Sequence, residues 1–204
     1  MTRPTSIMHG LRYTMVLILA PLLFHGCAQA PPGAESARLE PDAPTAEEVI
    51  LDAEAKAQND QLEEAASMLE ELVERETVNT AALRLLAGVY AALGLREQST
   101  ETWARIALIE PYDPDAAYET ALADARTGDW RMVRSKMIAL ESAGRAESRH
   151  FLLLGEADLE LGQRGEAKIY LEKAKGETRA HFLLGTLYYG EGKNEMAARE
   201  FEAD

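Results

Sequence analysis

Small and large apolar residues recur at a fixed interval over residues 46–204. A column of small residues repeats after 34, 34, 34 and 30 positions, and a larger apolar residue follows within each interval. The two columns read Ala53, Ala87, Ala121, Gly155 and Gly185, and Leu69, Trp103, Met137, Leu171 and Phe201. Small residues let antiparallel helices approach closely, and large residues fill the groove beside them. The pattern therefore predicts about five units of two helices each.

Turn and capping residues divide the same region into those units. The turn between the two helices of a unit is predicted at Asp60, Gly94, Gly128, Gly162 and Gly192. Thr45 with Glu48 predicts a capping box, and Asp113 before Pro114 predicts a helix start. The predicted units span residues 46–79, 80–113, 114–147, 148–177 and 178–204. The last unit is incomplete, so either the chain is a truncated product or another molecule covers that end.

These columns resemble the tetratricopeptide repeat (TPR) family over residues 46–204. The second unit carries Tyr90, Gly94, Trp103 and Pro111; the fourth carries Leu154, Gly155, Gly162, Ala167 and Ala174; the fifth carries Leu184, Gly185, Tyr188, Tyr189, Gly192, Ala197 and Phe201. The resemblance implies an all-α fold, a right-handed superhelical solenoid of helix-turn-helix repeats. It also implies a domain that binds other proteins and carries no catalytic site.

Residues 1–27 have the pattern of a bacterial lipoprotein signal peptide. Arg3 and Arg12 form a positive leader without acids, and the apolar run over residues 13–24 is too short to span a membrane as a helix. The segment Leu23–Cys27 resembles a lipobox, in which Cys27 receives acyl chains such as palmitate and becomes the new N-terminus. Two alternatives stay open: cleavage after Ala30, and an uncleaved signal anchor.

Residues 28–45 contain four prolines and few bulky apolar groups, which predicts a disordered Pro/Ala-rich tether. In lipoproteins of this kind the residue after the lipidated cysteine influences sorting. Here that residue is Ala28 and not aspartate, which favours the periplasmic face of the bacterial outer membrane. Anchoring in the inner membrane, or secretion, is the alternative.

Charge and side-chain chemistry exclude several function classes. The net charge is −14, and residues 1–27 hold two arginines and no acid, so the remainder carries −16 and would repel nucleic acid. His150 and His181 lack paired ligands at helical spacing, so we expect no metal, no cofactor and no small-molecule substrate. Since no set of catalytic groups converges, we expect that the chain is not an enzyme.

The first helices of such a solenoid line its inner surface, where a partner would bind. One apolar strip on that surface is predicted to comprise Tyr118, Leu122, Leu152, Leu159, Phe182 and Tyr189. Arg149 and Arg179 are placed at its edge, where they would orient an acidic peptide. The alternatives are that strip residues pack within the array and that both arginines are merely solvated.

Together these patterns predict a membrane-anchored periplasmic scaffold or adaptor that binds a protein or peptide segment in its groove. Settings consistent with the resemblance are assembly of type IV pili or secretion channels, outer-membrane protein assembly, and control of cell-wall enzymes. One alternative is a cell-wall-remodelling enzyme, for which the inner surface offers only Glu54 and Glu156. The other is a non-lipidated, secreted binding module.

Overall fold

The computed structural model describes residues 44–203. The predicted signal peptide ending at Cys27, and all but the last two residues of the predicted tether, lie outside the described residues. Within the described range the secondary structure is entirely helical. The helices are α1 (Ala46–Gln58), α2 (Leu62–Arg75), α3 (Thr80–Ala92), α4 (Arg96–Ile109), α5 (Pro114–Thr127), α6 (Trp130–Ser142), α7 (Ser148–Glu160), α8 (Arg164–Lys173), α9 (Thr178–Gly190) and α10 (Asn194–Glu202).

The predicted capping residues begin two of the first helices. The Thr45 hydroxyl accepts a hydrogen bond from the Glu48 N–H at 3.3 Å, while the Glu48 carboxylate accepts one from the Thr45 N–H at 2.9 Å. The Asp113 carboxylate accepts from the Ala116 N–H at 2.7 Å, and Pro114 occupies the first turn of α5. Both predicted helix starts are confirmed, because these side chains satisfy backbone donors that the helix cannot.

All five predicted turn residues adopt a left-handed backbone. Asp60 has φ +63°, and Gly94, Gly128, Gly162 and Gly192 have φ between +74° and +78°. This conformation ends the first helix of each unit and reverses the chain into the second helix. The turn prediction is confirmed, including Asp60, an aspartate that takes the place glycine holds in the other units.

The column of small residues lies where the two helices of each unit touch. Ala53, Ala87 and Ala121 are fully buried. A Cβ added to Gly155 would lie 2.7 Å from the Leu171 Cγ, and one added to Gly185 would lie 2.5 Å from the ring of Phe201. In the last two units a large side chain of the second helix therefore packs directly on the glycine of the first helix and would have to move if a Cβ were added.

Successive helices pack against one another along the whole array, and α1 also packs against α3. The buried apolar residues form three clusters in chain order, centred on α1–α4, on α5–α7 and on α8–α10. The described part of the chain is thus an all-α stack of five helix pairs, as predicted, and α10 is its shortest helix with nine residues. No described helix is both long and apolar enough to cross a membrane.

Candidate functional site

The six apolar residues predicted for the inner surface differ in how far they reach solvent. Phe182 and Tyr189, both on α9, are 58% and 69% exposed. The other four are half-buried: Tyr118, Leu122, Leu152 and Leu159. The most accessible apolar surface of the strip therefore lies on the fifth unit, and the rest of the strip is partly used for packing between units.

Tyr118 and Leu122 on α5 pack against the second apolar cluster. The Tyr118 ring meets the His150 ring edge-on, with centroids 5.7 Å apart and planes at 88°. The guanidinium of Arg149 lies over the same ring, 5.2 Å from its centroid. Burial raises the pKa of the Tyr118 hydroxyl, so this side chain stays neutral and acts as a packed aromatic surface.

Leu152 and Leu159 on α7 pack against the third apolar cluster. Leu159 also lines a cleft of about 430 Å³ together with Arg164, Leu187 and Tyr189. The cleft lies between the fourth and fifth units. It is large enough for a bulky side chain, and the exposed ring of Tyr189 stands at its wall.

Arg149 and Arg179, predicted at the edge of the strip, each have a carboxylate partner on a neighbouring first helix. The Arg149 Nη2 lies 2.5 Å from the Asp115 Oδ1, and its Nε lies 3.6 Å from the Glu147 carboxylate. Arg179 forms an ion pair with Glu156. Both arginines are therefore already paired with carboxylates of this chain, and neither is an uncompensated positive charge for an acidic peptide.

The same edge carries a third arginine, which sequence reasoning did not single out as a site residue. Arg84 on α3 forms an ion pair with Asp113 and also reaches Asp115 at 3.3 Å and Glu110 at 3.4 Å. Asp115 thus lies between Arg84 and Arg149 and links the second, third and fourth units. The available signal was the spacing of 34 residues between Asp115 and Arg149, which places opposite charges on adjacent turns of the solenoid.

Asp113 is the most buried carboxylate of this charged edge, at 6% exposure. Burial alone would raise its pKa, but hydrogen bonds from Arg84 and from the Ala116 N–H outweigh burial, so the pKa of Asp113 falls below its ordinary value. Asp113 therefore stays ionised, caps α5 and anchors Arg84 at the same time.

His150 on α7 is fully buried. Its Nδ1 accepts a hydrogen bond from the Glu147 N–H at 2.9 Å, and its Nε2 then carries the proton and donates to the Pro114 carbonyl oxygen at 3.1 Å. Burial lowers the pKa of His150, which keeps the imidazole neutral. With both nitrogens occupied, this histidine joins two units and offers no free nitrogen for catalysis or metal binding.

His181 on α9 has a different partner from the one its spacing suggests. Glu177 lies four residues before it, but the His181 Nδ1 contacts the Glu200 carboxylate at 2.8 Å and its Nε2 contacts the Lys175 carbonyl oxygen at 3.1 Å. Over residues 44–203, no group of three or more histidine, cysteine or acidic side chains is arranged to hold a metal ion.

Glu119 on α5, the next residue after Tyr118 of the strip, is a candidate site residue that sequence reasoning missed. It is half-buried between Tyr118 and Leu122 along the chain, and its carboxylate makes no hydrogen bond or ion pair with any described residue. Burial raises the pKa of Glu119, although the nearby charges of Arg126 and Arg149 act in the opposite direction. The detectable signal was its place in the repeat, where the other units have leucine.

Comparison with known proteins supports the fold and leaves the family open, because no family model and no curated protein matches the chain. Solved structures do match. A crystal structure of MamA has a TM-score of 0.62 at 19% identity, over 74% of this chain and 91% of MamA. MamA from Desulfovibrio magneticus RS-1, from residue 41 to its end, gives 0.64 at 20% identity, over 76% and 89%. Pseudomonas aeruginosa PilF gives 0.62 at 16% identity, over 76% and 72%.

MamA and PilF are both proteins of tetratricopeptide repeats. The likeness shows that the described residues form a right-handed TPR-like solenoid, which confirms the predicted fold class. At these identities the likeness concerns the fold alone.

Proposed function

We propose that this chain is a lipid-anchored scaffold of the bacterial envelope that holds a segment of a periplasmic protein against the inner surface of its solenoid. The observation that carries the proposal is the accessible apolar surface of α9, where Phe182 and Tyr189 are both more than half exposed and Tyr189 lines the cleft together with Leu159. Exposed aromatic side chains that line a concave surface are typical anchors for a bound protein.

The TPR-like fold supports a binding role over a catalytic one. Repeats that stack in one direction present an extended concave surface, which suits a peptide or a helix better than a small substrate. The enzymatic alternative depends on Glu54 and Glu156, which belong to different units. Glu156 is already ion-paired with Arg179, so it offers no ready acid or base to a substrate.

The proposed anchor is Cys27. Its acyl chains would hold the protein at the periplasmic face of the outer membrane, because several chains together bind a bilayer firmly where one alone does not. A flexible tether over residues 28–45 would span about 20–25 Å, which gives the solenoid reach from the membrane. The proposed settings are assembly of type IV pili or secretion channels, outer-membrane protein assembly, and control of cell-wall enzymes.

The binding surface is tested by the double substitution Phe182→Ala with Tyr189→Ala in the full chain. The matched control is Ile169→Ala, because Ile169 is also 58% exposed but lies on α8, a second helix. Tyr118→Ala is less suitable, since it would remove the contacts with His150 and Arg149 that join two units. The readout is quantitative mass spectrometry of proteins that copurify with each tagged chain from its native cells.

The proposal expects at least one envelope protein whose recovery is unchanged with Ile169→Ala and falls about thirtyfold with the double substitution. Losing a buried aromatic anchor costs about 2 kcal/mol, which corresponds to about thirtyfold in affinity. Far-UV circular dichroism should be the same for all three chains. Equal losses with the double substitution and the control, or no loss with either, would contradict binding at this surface.

The anchor is tested separately by Cys27→Ala. This substitution should abolish incorporation of labelled palmitate and move the protein from the membrane fraction to the soluble fraction. Labelling that persists in the Cys27→Ala chain would show that the lipidation site is elsewhere. It would overturn the proposal that Cys27 is the anchor and would not bear on the proposed binding surface.

A further inference from the structure

One column of the repeat carries leucine in every unit except the third. The column reads Leu51, Leu85, Glu119, Leu153 and Leu183, with the same spacing of 34, 34, 34 and 30 residues as the rest of the pattern. Leu153 is buried in the core and Leu183 lines the cleft between the fourth and fifth units. A carboxylate in this column is therefore placed where the fold itself would favour an aliphatic side chain.

No described side chain forms a hydrogen bond or an ion pair with Glu119. Arg126 and Arg149, whose positive charges lower the pKa of Glu119, have other partners. Arg149 binds Asp115, and Arg126 donates to the Thr100 hydroxyl at 3.3 Å. A half-buried carboxylate without a hydrogen-bond donor has lost part of its hydration without replacement. A positively charged group from another molecule would supply the missing donor.

The charges along the groove favour a basic peptide segment over an acidic one. Arg84, Arg149 and Arg179 along the groove edge are each neutralised by carboxylates of this chain. Residues 1–43 carry equal numbers of acids and bases and Asp204 lies outside the described range, so the described residues carry a net charge of −13. A field of this sign attracts a cationic segment and repels an acidic one.

Apolar side chains flank Glu119 on its own helix, and the residues one repeat before Leu122 and Ala125 are small and exposed. On the second unit, Gly88 and Ala91 are exposed, and a Cβ added to Gly88 would meet no atom within 4 Å. On the third unit, Tyr118 and Leu122 flank Glu119 along α5 and are half-buried. A long basic side chain that pairs with Glu119 would therefore lie beside the apolar groups of α5.

We propose that the groove binds a basic peptide segment, in which a lysine or arginine pairs with Glu119 and a neighbouring bulky apolar side chain packs on Tyr118 and Leu122. This inference rests on the proposed function, because it assigns the partner's chemistry to the same inner surface. It differs from the sequence-based expectation of an acidic peptide held by Arg149 and Arg179, since both of those charges are already compensated.

The test uses a display library of short random peptides panned against the purified full chain. Parallel selections use Glu119→Leu, which restores the leucine of the column, and Glu119→Gln, which keeps the shape and removes the charge. The matched control is Glu63→Gln, because Glu63 is an exposed carboxylate on the second helix α2 without an ion pair to any described residue. Affinities of selected peptides are then measured at low and at raised salt.

We expect the unchanged chain and Glu63→Gln to select peptides with a lysine or arginine beside a bulky apolar residue. Replacing that base by a neutral residue, or using Glu119→Gln, should weaken binding about tenfold, and raised salt should weaken it only when both charges are present. Glu119→Leu should keep the preference for apolar residues and lose the preference for bases.

Two results would overturn the inference, and they separate it from the proposed function. If the selected peptides are acidic or uncharged and their binding depends on Phe182 and Tyr189, the proposed binding surface is supported and the basic partner is rejected. Selection of basic peptides that bind Glu119→Leu equally well would reject Glu119 as the contact. If no peptide of either sign binds the full chain, both this inference and the proposed function fail.

Discussion

The imidazole of His150 donates a hydrogen bond to the backbone carbonyl of Pro114 at 3.1 Å and so joins the first helices of the third and fourth units. Its other nitrogen accepts from the Glu147 N–H, where α7 begins. The ring also supports Tyr118 of the inner surface. One buried, neutral side chain therefore connects a helix cap, a junction between units and the candidate binding wall.

This arrangement predicts that stability falls as the solution becomes acidic. Burial lowers the pKa of folded His150 below the ordinary value of 6.5, so the unfolded chain takes up this proton first as the pH falls. The stabilising contribution is present above the unfolded pKa and is lost below it, by at most about 1.4 kcal/mol per pH unit for one proton. Urea unfolding followed by far-UV circular dichroism from about pH 7.5 to about pH 5.5 measures the slope.

The control for this prediction is His150→Gln, which offers one acceptor and one donor but does not titrate. The variant should unfold with a flatter dependence on pH than the unchanged chain. Equal slopes would mean that His150 does not govern the acid sensitivity.

The close helix contact at Gly155 predicts opposite effects for two glycine substitutions. Gly155→Ala should destabilise the fold by about 1–2 kcal/mol, because the new Cβ would overlap Leu171. Gly88→Ala should stabilise it by about 0.5–1 kcal/mol, because Gly88 lies inside α3 with open space around the site and alanine favours helix. Thermal unfolding of the two variants and of the unchanged chain measures both changes in stability. The account of the small-residue column would be wrong if Gly155→Ala were as stable as Gly88→Ala.

An ion pair between a buried carboxylate and a partly exposed arginine, at the junction of the third and fourth units, predicts a non-additive pair of substitutions. Asp158 is fully buried; its Oδ1 accepts from the Arg134 Nε at 2.7 Å, while its Oδ2 is buried without a partner among the described residues. Arg134→Met alone should cost about 2–3 kcal/mol, because it leaves the carboxyl group unpaired. Adding Asp158→Leu should recover most of that loss, since an apolar pair needs no hydrogen-bond partner.

The readout for this pair is the free energy of urea unfolding of the two single variants and the double variant. A double variant that is no more stable than Arg134→Met would show that the loss comes from packing of the arginine stem and not from an uncompensated carboxyl group.

Much of the fold follows from local rules that the sequence displays. Asp60 and the four turn glycines mark each reversal because a left-handed backbone admits few residue types, and Thr45 and Asp113 mark helix starts because capping has a short sequence signature. The columns of small and large residues predicted the contacts between paired helices for the same reason, since helical spacing fixes which residues meet.

The candidate site was less predictable, because side-chain partners between units depend on rotamers and burial. Spacing placed Arg149 at the edge of the strip and Asp115 one repeat before it, but the ion pair between the two side chains depends on their rotamers. His181 has Glu177 at helical spacing and yet contacts Glu200, which comes from the next helix. Glu119 interrupts a column of leucines in the sequence, but its half-burial could not be predicted, because an isolated acid on a helix usually faces water.

The central claim, that a protein segment lies on the inner surface at α9, is tested most directly by photocrosslinking in living cells. A photoreactive p-benzoylphenylalanine replaces Phe182 in one chain and Ile169 in another, two positions of equal exposure on a first and a second helix. We predict a discrete crosslinked protein from position 182 and none of that mass from position 169. The same adduct from both positions, or an adduct from position 169 alone, would contradict the assignment of the binding surface.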